Sequence, residues 1–463
     1  MNIKNLLYPI WSLVPGVLML GCATSVSNSY DHRNGMTDKM PQLNPTASIS
    51  DQRIEMELQY SLEGYLEYAA LQNAGLRSKF SQWKAALERI PQVYSLPDPK
   101  FNYGYYMSEV ETRVGPQNHR VGISQTFPWF GKLGLRNDKA SEEAKIAKER
   151  FDAEKVRLFY QVKAAYYEYY YLGKAIDITH QNIELLKNLE GVAQAKVRAG
   201  SGIGGVMQAQ IEIGKLEDRL KALNEMRLPV LGKLNVAVGL KSESHLPMPK
   251  AITYSPVSID WDLLPSFINQ SNHKVKRLTH QVTTRSIDVA LAKKQFYPDV
   301  QLGVDYIATG ESVNPGVSDS GKDPVMAMFS VNIPLWYGKK RAALAEAEYQ
   351  YHASIADLEN SRNQLNADLK MALFEFKDAE RKFILYQTTL TTLARNSLNV
   401  ARESYEGGRV EFSEVIDAQR LLLEFQLSYE RARTDHEISL AKIERILGRK
   451  LPQPLQMKGS PKL

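Results

Sequence analysis

Residues 342–405 read AALAEAEYQYHASIADLENSRNQLNADLKMALFEFKDAERKFILYQTTLTTLARNSLNVARESY. Apolar side chains fall at Ile355, Leu358, Leu365, Leu369, Ala372, Phe376, Ala379, Phe383, Tyr386, Leu390, Leu393 and Val400, with Arg362 and Ser397 as the polar interruptions. Steps of three and four define a heptad seam, narrower than the apolar stripe of an ordinary surface helix. The stretch contains neither Gly nor Pro. At 1.5 Å per residue it predicts a rod of about 95 Å. Such a rod outruns any single globular core, so its seam must be buried against other helices.

A second long seam lies upstream, over about 138–199. It comprises Ala140, Ala144, Ala147, Phe151, Leu158, Val162, Ala165, Tyr169, Leu172, Ile176, Ile183 and Leu186. Its small alanines let helices approach closely. A glycine-rich run, Gly200 to Gly205, stops it, and helix resumes from Val206 to about Val238, with Pro229 as a candidate break. A further helix is expected over Ser61–Ile90.

Between these helices the period changes to two. Phe101, Tyr103, Tyr105 and Met107 alternate with polar or small residues, and so do Val121, Ile123 and Phe127, with a polar stretch from Glu109 to Arg120 read as a loop. Strands of about 9–11 residues are what an outer membrane requires. The pair ends in Phe127-Pro128-Trp129-Phe130-Gly131-Lys132; aromatics beside a Pro-Gly break suit a membrane–water interface.

The second half repeats the first. Pro99-Lys100-Phe101 returns as Pro298-Asp299-Val300, and the Pro-Trp-Phe-Gly-Lys turn returns as Pro334-Leu335-Trp336-Tyr337-Gly338-Lys339. Gly200 returns as Gly408, Ala209-Gln210 as Ala418-Gln419, and Gly239 as Gly448. Val300, Leu302, Val304 and Tyr306, then Ala327, Phe329, Val331 and Ile333, form a second strand pair around a Gly/Ser/Asp/Pro-rich loop. Each half is therefore helix, two strands, long helix, turn, helix. The divisions are residues 61–240 and 263–448 for the repeats, a Pro/Ser-rich linker at 241–262 and a tail at 449–463.

At the N-terminus, Lys4 precedes an apolar run from Leu6 to Leu20 broken by Pro9 and Pro15, which fits a secretory signal over 1–21. It ends Leu18-Met19-Leu20-Gly21-Cys22-Ala23, similar to a bacterial lipobox, making Cys22 the candidate acylated residue ahead of a polar leader to residue 60. Cys22 is the single cysteine, so no intramolecular disulfide can form. The formal charge of +6 is spread over 463 residues with no basic block, which argues against nucleic acid. The sequence has neither a nucleotide-binding Gly-rich loop nor an HExxH, its histidines are scattered, and its methionines form no relay. No enzyme, cofactor or metal site is expected.

Four amphipathic strands cannot span a membrane as an open sheet, because unpaired backbone groups in hydrocarbon cost several kcal/mol each. They must close with strands of other chains. Two chains give eight strands and a filled lumen; more give a water-filled bore.

On the duplicated order of elements, Tyr297-Pro298-Asp299, the two Trp-containing turns and the stretch from Gly408 to Gln419, the chain resembles TolC-type outer-membrane factors over about Ser61 to Gly448. Gln125 to Lys132 is most similar to the branch serving heavy-metal pumps, the CzcC and CusC type. The resemblance implies a mainly α fold with a membrane β part: a homotrimer with a helical periplasmic tunnel and four strands per chain in a twelve-stranded outer-membrane barrel. It implies a periplasmic adaptor and an inner-membrane transporter as partners, of the resistance-nodulation-division class, in efflux of metal cations or drugs. A type I protein-secretion duct and a pore-free coiled-coil lipoprotein scaffold are the alternatives. By the same resemblance Glu414 and Asp417 ring the tunnel's narrow end, and Arg409, one turn earlier, is placed to brace it across helices. Gly205 and Gln208 occupy the matching places in the first half, so one acid ring is expected. Phe127, Trp129, Phe130, Trp336 and Tyr337 are the expected membrane-interface aromatics.

Overall fold

The computed structural model describes residues 61–254, 257 and 261–451. The signal stretch, Cys22, the leader to residue 60 and the C-terminal tail beyond Leu451 lie outside these residues. In chain order the first repeat is α1 (Leu62–Gln72), α2 (Ala74–Tyr94), β1 (Lys100–Thr112), β2 (Gly115–Phe127), α3 (Lys132–Arg198), α4 (Gly204–Glu225) and α5 (Arg227–Val238). The second is α6 (Leu264–Ser271), α7 (His273–Lys294), β3 (Val300–Thr309), β4 (Val325–Val331), α8 (Tyr337–Leu385), a π-helical turn (Tyr386–Leu390), α9 (Thr391–Glu406) and α10 (Phe412–Leu447). The 67 residues of α3 make a rod of about 100 Å. No described helix is long and apolar enough to cross a membrane.

The helix expected over Ser61–Ile90 is two helices, and the break is built by one side chain. Asn73 leaves the helical region (φ −63°, ψ 117°) and its Oδ1 accepts the Leu76 N–H at 3.1 Å, capping α2. Asn272 does the same between α6 and α7, accepting from Val275 N–H at 3.0 Å and donating from Nδ2 to the Ile446 carbonyl at 2.6 Å. Each bend receives the end of a returning helix. Gly448, at φ +75°, closes α10 against the second bend, where a Cβ would lie 2.6 Å from the Ser271 carbonyl oxygen. Gly239 stands likewise against Asn73. Thus the Gly239/Gly448 repeat marks the two contacts that tie each return helix to its kink.

The second rod corrects the heptad reading. Leu365, Leu369, Ala372, Phe376, Ala379 and Phe383 are buried as one seam. Beyond Phe383 the seam shifts: Leu393 and Val400 are 58% and 63% exposed, while Ala394 and Leu398 are buried. The cause is the π turn, in which Thr391 N–H donates to the Tyr386 carbonyl five residues back and inserts one extra residue. Everything after it rotates by one position, and the apparent polar interruption at Ser397 becomes a solvent-facing serine. N-terminal to the seam, Ser354 and Ser361 are buried in place of Ile355 and Arg362. A straight helix drifts by about 20° per heptad relative to a strict 3.5 repeat, which accounts for the offset.

Three apolar clusters hold the rods together. One joins α1, α3 and α5 through Tyr65, Val162, Tyr169 and Leu234. Its counterpart joins α6, α8 and α10 through Ile268, Leu369, Phe376 and Ile443. The third packs α3, α4, α9 and α10 at the end remote from the sheet, through Leu186, Ala209, Leu398 and Val415. The four strands form one antiparallel sheet in the order β1-β2-β3-β4. The segment expected as a loop, Glu109 to Arg120, is instead mostly strand: β1 runs to Thr112, β2 starts at Gly115, and Thr112 pairs with Gly115 across a two-residue turn. Its polar residues extend the strands past the apolar band, and Gly115 (φ +131°) permits the turn.

Asn272→Ala removes a helix cap and a buried hydrogen bond together and is expected to cost about 2–3 kcal/mol. Asn73→Ala, whose Nδ2 reaches the Ala237 carbonyl only at 3.4 Å, is expected to cost less. Thermal unfolding followed by circular dichroism in detergent checks the order; equal losses contradict it.

Candidate functional site: the sheet and the distal helical turns

Alternation across the sheet sorts its side chains by polarity. One face carries Phe101, Tyr103 and Tyr105; Val121, Ile123 and Phe127; Val300, Leu302, Val304 and Tyr306; and Val325, Phe329 and Val331. The ladder brings them into register as Phe101–Ile123, Ile123–Val304 and Leu302–Phe329. Most of these are exposed, Phe101 and Phe329 to about 70%. Each large apolar side chain removed from water contributes about 1.5–3 kcal/mol, so a face of this breadth demands a cover. The opposite face carries Arg120, Gly122, Ser124, Gln301, Gly303 and Asp305. There Arg120 Nε donates to Asp305 Oδ2 at 2.9 Å and Gln301 Nε2 to Ser124 Oγ at 2.8 Å. Asp305 is 1% exposed, and it occupies the space over Gly122, where any Cβ would collide with its carboxylate. Apolar on one side and polar on the other is the division between lipid and lumen.

The sheet joins the first rod through a fixed turn. Trp129 stacks on Tyr297 at 5.4 Å. Asp299 accepts from the Trp129 N–H at 2.8 Å and from Lys132 Nζ at 2.7 Å, while Lys132 also donates to the Tyr297 carbonyl at 3.1 Å. Tyr297 and Asp299 of the second repeat therefore hold the turn of the first. In the second turn Trp336 and Tyr337 are exposed, as are Phe130 and Phe127. Of the expected interface aromatics Trp129 alone is half-buried; Phe130 meets its ring at 5.8 Å and Tyr337 lies 6.3 Å from Phe296, but both stay exposed. The repeat explains the difference: Lys100 stands where Asp299 would be needed, and among the described residues no further strand pair follows β4.

At the far end, Gly408 (φ +71°) reverses the chain after α9, with Arg409 N–H donating to the Ser404 carbonyl at 2.9 Å. Glu411 caps α10 in extended conformation. Phe412 is buried, 5.1 Å edge-on to Tyr405 and against Gly205 of the other turn. Val415 and Ile416 are buried, so Glu414 and Asp417 share the exposed face. Asp417 accepts from Arg420 Nη1 at 3.1 Å. Among the described residues Arg409 forms no ion pair within the chain. The cross-helix pair at this end is instead Arg420–Glu212, linking α10 to α4, with Lys215 also on Glu212 at 2.7 Å. Sequence reasoning missed Glu212; its position two residues after Gln210, opposite the repeat-related Gln419, was the available signal. Gln419 itself is buried and donates to Asn182 Oδ1 at 3.0 Å, and Asn182 donates to Gln426 Oε1 at 3.0 Å.

A sheet with one apolar and one polar face, set on two rods of about 100 Å, is the arrangement expected of a membrane β part carried on long helices. Residues 264–449 match the family model described as "Outer membrane efflux protein". The chain is 22% identical to outer membrane protein OprJ of Pseudomonas aeruginosa, covering 72% of this chain and 70% of that one. It is 23% identical to the probable outer membrane lipoprotein SilC of Salmonella typhimurium, covering 81% of each. Crystal structures of CusC superpose with a TM-score of 0.71 at 16% identity, over 84% of this chain and 92% of that one. The second half of the chain thus matches the outer membrane efflux protein model, and the fold as a whole is similar to that of outer-membrane channels. The solved structures it superposes on are outer-membrane channels.

Glu212 gives the tip a pH dependence. Its hydrogen bond from Arg420 lowers its pKa most, burial opposes, and Lys215 adds to the lowering. A carboxylate depressed in the folded state contributes stability that is complete above the unfolded value of about 4.3 and is lost as pH falls through the lower folded value. Acid unfolding of the wild-type tip, followed by hydrogen exchange of α4, is therefore expected below about pH 4.3. Glu212→Gln should flatten that dependence, and an unchanged acid profile would contradict the assignment.

Proposed function

We propose that three copies of this chain close β1 and β4 edges into a twelve-stranded barrel and conduct substrate outward from a periplasmic adaptor and an inner-membrane pump. The observation that carries this reading is the two-faced sheet, both edges unpaired among the described residues, on a pair of rods. Three copies supply twelve strands, enough for an aqueous bore. A neighbour's Lys100 side would then stand beside the exposed Trp336 turn as Asp299 stands beside Trp129. Exposed apolar residues along the second rod, among them Met371, Phe374, Leu393 and Val400, are available to adjacent copies. The repeats at 61–240 and 263–448 would each supply half a subunit's share of the wall.

The pump we assign is of the resistance-nodulation-division class, with metal cations or drugs as cargo. Support for a cation comes from CusC, whose name is cation efflux system protein, and from the tip carboxylates. In a trimer Glu414 and Asp417 would form stacked rings of three at the narrow end, favouring cations. Arg409 would reach a partner only across copies; an exposed pair contributes about 0–1 kcal/mol, so opening would stay accessible. Cys22, with a relative named as a lipoprotein, is assigned as the acylated N-terminus, which the mass of the mature N-terminal peptide decides. Phe127, Phe130, Trp336 and Tyr337 would sit at the headgroup level.

Planar-bilayer recordings of the Glu414→Gln, Asp417→Asn double variant test the constriction. Cation preference is expected to fall severalfold with assembly unchanged. Unaltered selectivity would make these carboxylates an ordinary solvated helix start.

A further inference from the structure

One constellation serves neither the sheet nor the tip. Glu149 and Asp152 lie three apart on α3, and so on one face of it. His273, the first residue of α7, meets them from the second repeat. Its Nδ1 is 2.8 Å from Glu149 Oε2, and one donor atom from each of the three side chains lies within 4.8 Å of the other two. The site is roughly 25 Å along α3 from its start, by rise per residue. All three side chains are mostly buried: 17% exposed for His273, 13% for Glu149 and 22% for Asp152. The position of His273 is fixed by Asn272, whose side chain caps α7 and is anchored to α10 through the Ile446 carbonyl.

We propose that Glu149, Asp152 and His273 form a site for a borderline divalent cation of the zinc type, clamping α3 of the first repeat to α7 of the second. An imidazole nitrogen with two carboxylate oxygens is a three-ligand set that leaves a fourth position for water. With no thiolate or thioether, the set disfavours soft monovalent ions, and its imidazole favours zinc-like ions over magnesium. In the metal-free chain the carboxylates already have partners: Lys148 Nζ lies 2.7 Å from Asp152 Oδ2, and His273 Nδ1 lies 2.8 Å from Glu149 Oε2. Binding would displace the ammonium and replace the His273–Glu149 hydrogen bond with metal–ligand bonds. The burial and the location between repeats suit a clamp rather than a stop on the conduction path.

The fold supplies its own control. One heptad away on both helices, His280 Nδ1 meets Glu142 Oε2 at 2.7 Å, the same pairing without a third ligand. The experiment is calorimetric titration of the full-length assembled protein in detergent with Zn2+, and with Mg2+ as the comparison ion. One saturable Zn2+ site per chain is expected, with no equivalent Mg2+ site. His273→Ala and Asp152→Asn should each weaken it by about tenfold or more, and His280→Ala should leave it unchanged. Zn2+ should also raise the thermal unfolding midpoint of wild type and of His280→Ala, but not of His273→Ala. Asp152→Asn keeps the shape of the side chain, so its circular dichroism and assembly should match wild type. No saturable Zn2+ binding, binding equal in wild type and His273→Ala, or loss through His280→Ala alone would each overturn the proposal.

Discussion

Backbone hydrogen bonding in hydrocarbon is the constraint on which the structure depends. The outer edges of β1 and β4 present N–H and C=O groups that no described strand of the same chain pairs, and in a bilayer such groups cost several kcal/mol each. The side chains leave no other place for the sheet, since its apolar face requires lipid. The duplication follows from this. Each repeat contributes one hairpin, and β2 and β3 pair between the repeats as neighbours in a barrel wall would. The contact that orients the sheet on the rods, Asp299 with Trp129 and Lys132, also crosses between repeats. Among the described residues the second repeat's own turn has no such partner.

Much of this was legible in the amino-acid order because periodicity is a strong signal over long elements. The rods, the stops at Gly200 and Gly408, and the alternation at Phe101–Met107 and Val300–Tyr306 all follow from spacing alone. The errors have local physical causes. Residues 109–120 read as a loop because strands that leave the apolar band need no alternating hydrophobics. Asn73 and Asn272 break helices without glycine or proline, so an unbroken apolar pattern concealed the kinks. The π turn at Tyr386–Leu390 has no compositional mark; the slip of the seam at Ser397 was its only trace.

The two repeats have diverged where function would divide them. α3 runs uninterrupted, whereas the second rod is interrupted by the π turn. After the first turn come Gly205 and Gln208; after the second come Glu414 and Asp417 on an exposed face. At the tip the repeats are joined by Arg420–Glu212 and by the amides of buried Asn182 and Gln419 and half-buried Gln426. The polar face of the sheet and the exposed acids lie at opposite ends of the rods, with packed helix between them.

Closure of three sheets into one barrel is the central claim, and native mass spectrometry of the detergent-extracted full-length protein addresses it most directly. The account predicts a dominant assembly of three chains that dissociates only under strong activation. A stable monomer or dimer retaining the native circular dichroism would contradict it, because four or eight strands would then satisfy the edges without an aqueous bore.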